Sequence, residues 1–371
     1  MNCKLVYMSD SSGSRLLTAL EDMVSNIHIE ANFSIRHPNY PPDTVPQEIA
    51  ARWQEITPAL QQKYLILRLR NFIYRIYYNG SLQSNIHEAS SDFHNLDTHI
   101  NIDGQFYEQL HTNNHGTGYF DPGWQVLREE PDGSLAVSKG GLTLHIERDL
   151  QSAQQPKYRH LQYSDSTISP GNFIAVWLPQ NRLQNGFYLA ISNYGQEQQG
   201  SISSEIKIAQ IFFNLQPEGA PVIMDNLTRE MNDIAIPFTF KVLYNPLAYG
   251  CYDSGVLYFE NRDYVAVRQV LQEIYREHHR YFQPEIPLFT KFLAPGLGLA
   301  EQPAVKLPYQ RNFGIHRCEI IANSLIEAWQ GGFNSPAERM AAIEQTFISL
   351  GIDLQHPYLN PNSEDIYYLL S

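Results

Sequence analysis

A single ammonium interrupts an aromatic strand. In FTFKVLYNPLAYGCYDSGVLYF, Phe238 to Phe259, two runs rich in Phe, Tyr, Val and Leu flank a loop containing Pro and Gly, and Lys241 is the one charge of the first run. Strand alternation puts Phe238, Phe240, Val242 and Tyr244 on one face and Thr239, Lys241 and Leu243 on the other. Lys241 then shares a face with Thr239, as in a polar cleft wall. Taken alone, it also fits a lysine snorkelling from an edge strand. If the two runs pair, VLYF carries the Tyr258 hydroxyl near the strand of Lys241. In KGGLTLHIERD, Leu142, Leu144 and Ile146 alternate with Thr143, His145 and Glu147, so His145 faces away from the apolar side. YQRNFGIHRCEIIANSL adds Arg311 and Arg317. Arg317 falls at the expected start of a helix, where backbone N–H groups and the dipole attract anions.

A Lys, a His, a Tyr and two Arg make a set suited to phosphate. Arginine holds phosphate through paired hydrogen bonds. A desolvated lysine beside other cations loses its proton more readily and can act as a base near neutrality. A histidine can protonate a departing phosphate oxygen. Such a set can remove phosphate from phosphoserine or phosphothreonine by β-elimination, with neither metal nor cofactor. Spacing alone leaves open whether these residues meet in space.

The elements that must position them read as follows. Apolar residues at helical spacing predict a helix over Ser14 to Ile29. RHPNYPPDTVP reads as a Pro-rich link. VPQEIAARWQEI and LQQKYLILRLRNFIYRIYYNG follow as helices, the second stopping at Gly80, with Arg68, Arg70 and Arg75 read as a solvated face. Residues 81–114 turn polar and read as a linker. Beyond them GLTLHIERD, NFIAVWLP, GFYLAISN, IAQIFFNL, IPFTFKVLY and GVLYFE are strand-like. EGAPVIMDNLTREMNDIA, RDYVAVRQVLQEIYREHHRYF, HRCEIIANSLIEAWQ and SPAERMAAIEQTFISLGI are helical, the last with Ser335 as N-cap, Pro336 at the first position and Gly351 as stop. GTGYFDPGW reads as tight turns or a cleft rim, and NRLQNG around Arg182 as a turn. The irregular alternation of strands and helices predicts an α+β fold, a mixed or antiparallel sheet with flanking helices, preceded by an N-terminal helical region. The expected division is residues 1–115, helical region and polar linker, and residues 116–371, the α+β domain.

Composition narrows the function. The 371 residues are 43% hydrophobic and 12% aromatic, enough for a sizeable core. A formal net charge of −13 argues against nucleic acid as a partner but permits a local basic pocket. Three cysteines, Cys3, Cys251 and Cys318, form neither a disulfide framework nor a zinc pattern. No apolar run approaches the roughly 20 residues of a membrane helix, so no membrane partner is expected. The N-terminus lacks a signal-peptide core, and a cytoplasmic protein is the expectation. There is no GxGxxG, GxxxxGK[ST], GxSxG or HExxH, and APGLGLA lacks the third glycine of a dinucleotide loop. His111 and His115 are a weak metal signal without acidic or cysteine partners, and His278 with His279 reads as solvated. Cys251 has no His or Asp partner at the spacing of a nucleophile motif.

Together GTGYFDPGW, KGGLTLHIERD, NFIAVWLPQNRLQNGFYLAISN, FTFKVLYNPLAYGCYDSGVLYF and FGIHRCEIIANSLIEAW resemble the HopA-type effector family over about residues 115–371. The same stretch is similar to the lyase component of class V lanthipeptide synthetases, and more distantly to effector phosphothreonine lyases. The resemblance implies a carbon–oxygen lyase that makes dehydroamino acids from phosphorylated Ser or Thr. It implies Lys241 as general base, His145 as general acid and Tyr258 as a substrate-contacting hydroxyl, with Arg311 and Arg317 holding phosphate. The phosphothreonine lyases carry a lysine two residues before the histidine, where this chain has Thr143; Lys139 is the nearby substitute. The family commonly carries an arginine where this chain has Cys251, so Lys139, Arg182 or Arg311 must supply the contact, or the chain is an inactive member. The implied partners are a phosphorylated, leader-bearing precursor peptide and a separate kinase, with residues 1–115 recognising leader or partner. A non-catalytic phosphopeptide- or protein-binding module, effector-like and secreted, is the alternative, and a structural synthetase subunit a third.

Overall fold

The structure, a computed structural model, describes residues 11–83, 103–146, 158–160, 169–184, 186–195, 207–303 and 312–370. Helix α1 (Ser11–Asn26) forms as its spacing predicts and buries Leu16, Leu20, Met23 and Val24. The stretch read as a Pro-rich link is instead a small antiparallel sheet of β1 (His28–Ile29), β2 (Ile35–His37) and β3 (Tyr40–Asp43). Its two prolines lie on the edge strand β3, where a missing N–H breaks no inner ladder. After α2 (Gln47–Ala51), α3 (Pro58–Ile73) starts on a proline and runs on as a π-helix over Tyr74–Tyr78. Arg68 is not on a solvated face. It is buried, and its guanidinium donates to Phe33 O and Asp43 O while pairing with the Asp43 carboxylate at 3.1 Å. Part of the expected linker is also helical: α4 (Gly104–Thr112) is capped by the Asp103 carboxylate, which accepts from Phe106 N, and buries Phe106 and Leu110.

Two antiparallel sheets follow. The smaller comprises β4 (Tyr119–Glu129), β5 (Leu135–Lys139), β6 (Leu142–Ile146), β7 (Tyr158–His160) and β8 (Phe173–Leu178), in the order β6-β5-β4-β8-β7. Trp124, Val126, Val137, Ile146 and Ile174 form its separate core. The Asp-Pro-Gly of GTGYFDPGW is no terminal turn: it is accommodated inside β4, whose register to β8 shifts between Asp121 and Trp124.

The larger sheet comprises β9 (Asn181–Gln184), β10 (Phe187–Ile191), β11 (Ile208–Phe213), β12 (Phe238–Leu243), β13 (Gly255–Glu260), β14 (Lys291–Ala294) and β15 (Leu297–Glu301). Its order is β14-β15-β11-β13-β12-β10-β9, every neighbouring pair antiparallel. Helices α5 (Gly219–Asp233), α6 (Tyr264–His278), α7 (Phe313–Gln330) and α8 (Pro336–Ser349) complete the α+β architecture. On one face Phe212 meets the rings of Tyr78 and Phe313, each at 6.2 Å; on the other Phe213 meets Phe240 at 5.3 Å. The N-terminal helices share one continuous core with this sheet, because Leu65, Leu69, Phe72 and Ile76 join the same buried cluster as Phe213, Phe240 and Ile321. No helix among the described residues is long and apolar enough to cross a membrane.

Candidate functional site

β12 and β13 pair as the sequence suggested, and their register builds the site. Lys241 lies opposite Leu189 on β10 and Val256 on β13, and Leu189 lies opposite Arg182 on β9. Tyr258 lies between Thr239 on β12 and Gln210 on β11. Directly opposed residues of antiparallel strands point to the same side. One face therefore carries a row Arg182, Leu189, Lys241, Val256, and beside it a row Thr239, Tyr258, Gln210. The Lys241 ammonium sits 4.8 Å from the centre of the Phe187 ring and 5.3 Å from that of Tyr258. Both are cation–π distances. Among the described residues no carboxylate pairs with Lys241, whose side chain is half-buried.

The polar row is unusual. Thr239 and Gln210 are buried, yet Thr239 Oγ1 and Gln210 Oε1 have no hydrogen-bond partner among the described residues. The Tyr78 hydroxyl is buried and unpartnered too, and burial pushes its pKa well up. A buried polar atom without a partner costs about 1–3 kcal/mol, so these three carry an uncompensated cost beneath the site. The sequence reading passed over Gln210 and Tyr78. Gln210 left a signal, a lone polar residue in the strand IAQIFF; Tyr78, from a distant helix, left none.

The other candidate residues lie in different places. Arg182 is on the edge strand β9 rather than in a turn, and its guanidinium donates to the Tyr119 hydroxyl and lies 5.7 Å from that ring. Burial pushes the Tyr119 phenol up to about 12, against the pull of Arg182. Lys139 is engaged by one carboxylate: its ammonium is 2.8 Å from both oxygens of Asp121 and 2.7 Å from Pro122 O. Trp124 Nε1 donates to the same Asp121 at 2.7 Å, so GTGYFDPGW locks β4 to β5. His145 stands on β6 at the edge of the smaller sheet, exposed, with Nδ1 3.6 Å from Glu130. No described contact links His145 or Lys139 to Lys241.

Arg317 corrects its sequence reading most clearly. It lies in the second turn of α7, not at its start, and is fully buried. Its Nε donates to Pro357 O at 2.8 Å, its Nη2 to Leu359 O at 2.9 Å, and its Nη1 meets His316 Nδ1 at 2.8 Å. Burial lowers its pKa to about 10, with Glu301 opposing the shift. The guanidinium clamps the C-terminal segment and has no free fork for phosphate. At the helix start, Asn312 accepts from Ile315 N in the place where an anion was expected. Arg311 lies outside the described residues. Cys251 is buried, and desolvation drives its thiol pKa well up, which leaves no thiolate for attack. His111 and His115 face different partners, the Tyr188 hydroxyl at 3.2 Å and Asp225 at 2.5 Å. Among the described residues no three His, Cys, Asp or Glu side chains gather as a metal site would need.

This geometry can be set beside known proteins. The model of the HopA1 effector protein family matches residues 178–359. Over this segment the chain is similar to that family. The segment takes in the larger sheet from its edge strand β9, helices α5 to α8, and the tail as far as Leu359, whose carbonyl Arg317 holds. Arg182, Lys241, Cys251, Tyr258 and Arg317 lie within the HopA1 match; Lys139 and His145 lie before it. Two solved effector structures from Pseudomonas syringae are similar, one from pv. tomato strain DC3000 with 23% identity and a TM-score of 0.34, one from pv. syringae strain 61 with 17% and 0.36. Each match covers 47% of this chain and 63% of the other, less than two thirds of its length. The comparison with curated proteins gave no match.

Proposed function

We propose that the chain is a carbon–oxygen lyase that eliminates phosphate from phosphoserine or phosphothreonine in a peptide. The observation that carries this reading is the Lys241 ammonium, held between the rings of Phe187 and Tyr258 with no carboxylate partner among the described residues. A lysine paired with a carboxylate is a structural cation. One faced only by rings is held in no ion pair and stands open to a substrate. In its neutral form Lys241 takes the Cα proton, the electron pair forms the Cα=Cβ bond, and the Cβ–O bond breaks to release phosphate. The product is a dehydroamino acid.

Arg182 stands in the same row, two strand spacings or about 10 Å from Lys241. It is the cation this reading assigns to the phosphate, with charge stabilised as it departs. Tyr258, half-buried beside Lys241, would contact the peptide. His145 is not required: a phosphate leaving beside a guanidinium can depart unprotonated. The substrate would be a precursor peptide phosphorylated by a separate kinase, as in lanthipeptide maturation. A second reading, an effector-like module that binds phosphopeptides without chemistry, draws support from one observation. Arg317 and Lys139, two of the cations expected at the phosphate, are engaged by carbonyls and by Asp121.

Mass spectrometry of a phosphoserine and phosphothreonine peptide incubated with the protein tests both. Loss of the elements of phosphoric acid with the wild type, and none with Lys241→Ala, is the expected result. Loss of the phosphoryl group alone, leaving the hydroxyl, means hydrolysis and sinks the lyase reading. An unchanged mass with retention of the phosphopeptide selects the binding module.

A further inference from the structure

Tyr119 is the residue through which the smaller sheet reaches the row of Lys241. It opens β4, lies opposite Leu178 on β8 and is 1% exposed. Only residues 179 and 180 separate the end of β8 from the start of β9, so the two sheets join beside it. Across that join the Arg182 guanidinium donates to the Tyr119 hydroxyl and lies over its ring. Arg182 falls inside the HopA1 match, whereas Tyr119 precedes it.

This contact anchors Arg182 and leaves it able to bind. A guanidinium carries five N–H donors. Nη2 is engaged by Tyr119, and among the described residues Nε and Nη1 have no partner. Arg182 is exposed, so an incoming anion can reach it. The chemistry of the anchor matters as much as its position. Burial keeps the Tyr119 phenol neutral, so it fixes the guanidinium without cancelling its charge. Lys139 shows the opposite arrangement, with the Asp121 carboxylate 2.8 Å from its ammonium. A free arginine side chain carries about 2 kcal/mol of rotamer entropy, part of which is lost on binding. One already tied to a buried ring in a strand has less to lose.

We propose that Tyr119 is a positioning residue, which holds Arg182 in place to receive the phosphate of a phosphopeptide. The inference rests on the assignment of that phosphate to Arg182. It adds that the smaller sheet, through the first residue of β4, is part of the site.

The test uses the full chain carrying Lys241→Ala, which keeps the substrate intact, and calorimetry with a phosphothreonine peptide beside its unphosphorylated counterpart. Into this background go Tyr119→Phe, Arg182→Ala and the two together. Arg182→Ala should remove most of the affinity that depends on phosphate. Tyr119→Phe should weaken binding roughly three- to ten-fold, the worth of one hydrogen bond. In the double variant Tyr119→Phe should add nothing to Arg182→Ala, because the phenol acts only through the guanidinium. A readout without ligand is the 15N order parameter of the Arg182 Nε–H, which should fall in Tyr119→Phe. The inference alone is overturned if Arg182→Ala weakens binding and Tyr119→Phe does not, if Tyr119→Phe weakens it equally without Arg182, or if the order parameter is unchanged. Unchanged affinity in Arg182→Ala overturns the assignment of phosphate to Arg182, and the inference falls with it.

Discussion

Lys241 and Tyr258 are separable by substitution. Lys241→Arg keeps the charge and the contact with both rings but cannot give up its proton. It should fold like the wild type and lose elimination by at least about 100-fold in kcat, the usual contribution of a general base. Retained elimination in Lys241→Arg would remove the base role and leave Lys241 as a binding cation. Tyr258→Phe preserves the ring under the ammonium and deletes only the hydroxyl. A loss of about five-fold is expected in kcat/KM, the worth of one neutral hydrogen bond to substrate. A loss as large as that of Lys241→Arg would instead make the hydroxyl a proton donor or acceptor in the reaction. His145→Ala distinguishes the sequence expectation from the structure, since His145 stands at a sheet edge beside Glu130 and activity should survive its removal.

At the level of elements, α7 is the part most tightly specified by its neighbours. A Cβ added at Gly314 would lie 2.3 Å from the Tyr78 ring, which is itself buried against Phe212 and Phe313. Glycine in a helix ordinarily weakens it, and here it lets α7 approach the π-helical end of α3. Gly314→Ala should therefore destabilise the fold by about 1–3 kcal/mol, read as a lower urea midpoint, where an exposed helix glycine would gain from the same change. Arg317, one turn along, makes a different prediction. Arg317→Met leaves the carbonyls of Pro357 and Leu359 without donors, at about 1–3 kcal/mol for each. Hydrogen exchange should rise across residues 350–370 before it rises in the sheet. A phosphate-binding arginine would alter substrate affinity and leave exchange untouched.

Across the whole molecule, buried tyrosines set the alkaline limit. Burial pushes the phenols of Tyr119, Tyr188 and Tyr264 up to about 12 from an ordinary 10.0. Between those values the folded chain keeps protons that the unfolded chain releases. Stability must then fall as pH rises from 10.0 towards 12. Tyrosinate absorbance followed beside circular dichroism should show these phenols ionising in one step together with loss of structure. Gradual ionisation with the fold intact would contradict their burial.

The sequence by itself determined what depends on near neighbours along the chain. Period-two alternation in FTFKVL and LTLHI fixed which face carries Lys241 and which carries His145, because successive side chains of a strand must point opposite ways. Ser335 and Pro336 marked the start of α8, and the capping box that Ser335 forms with Glu338 is local hydrogen bonding. The α+β class, with a sheet left as mixed or antiparallel, followed from the same short-range signals, and a HopA-type resemblance was legible in the order of the strand motifs. Only the tertiary structure decided which charged groups were already engaged. Arg317 reads in sequence as a helix-start anion site, yet it serves two carbonyls some forty residues away. Lys139 reads as a phosphate contact, yet Asp121 comes to it across a bulged strand. The sheet in the Pro-rich stretch and helix α4 were missed for a related reason: each has weak local propensity and is held by burial, of Ile35 and His37 in one case and of Phe106 and Leu110 in the other. Whether a cation is free depends on acceptors brought in from distant parts of the chain, and periodicity carries no information about those.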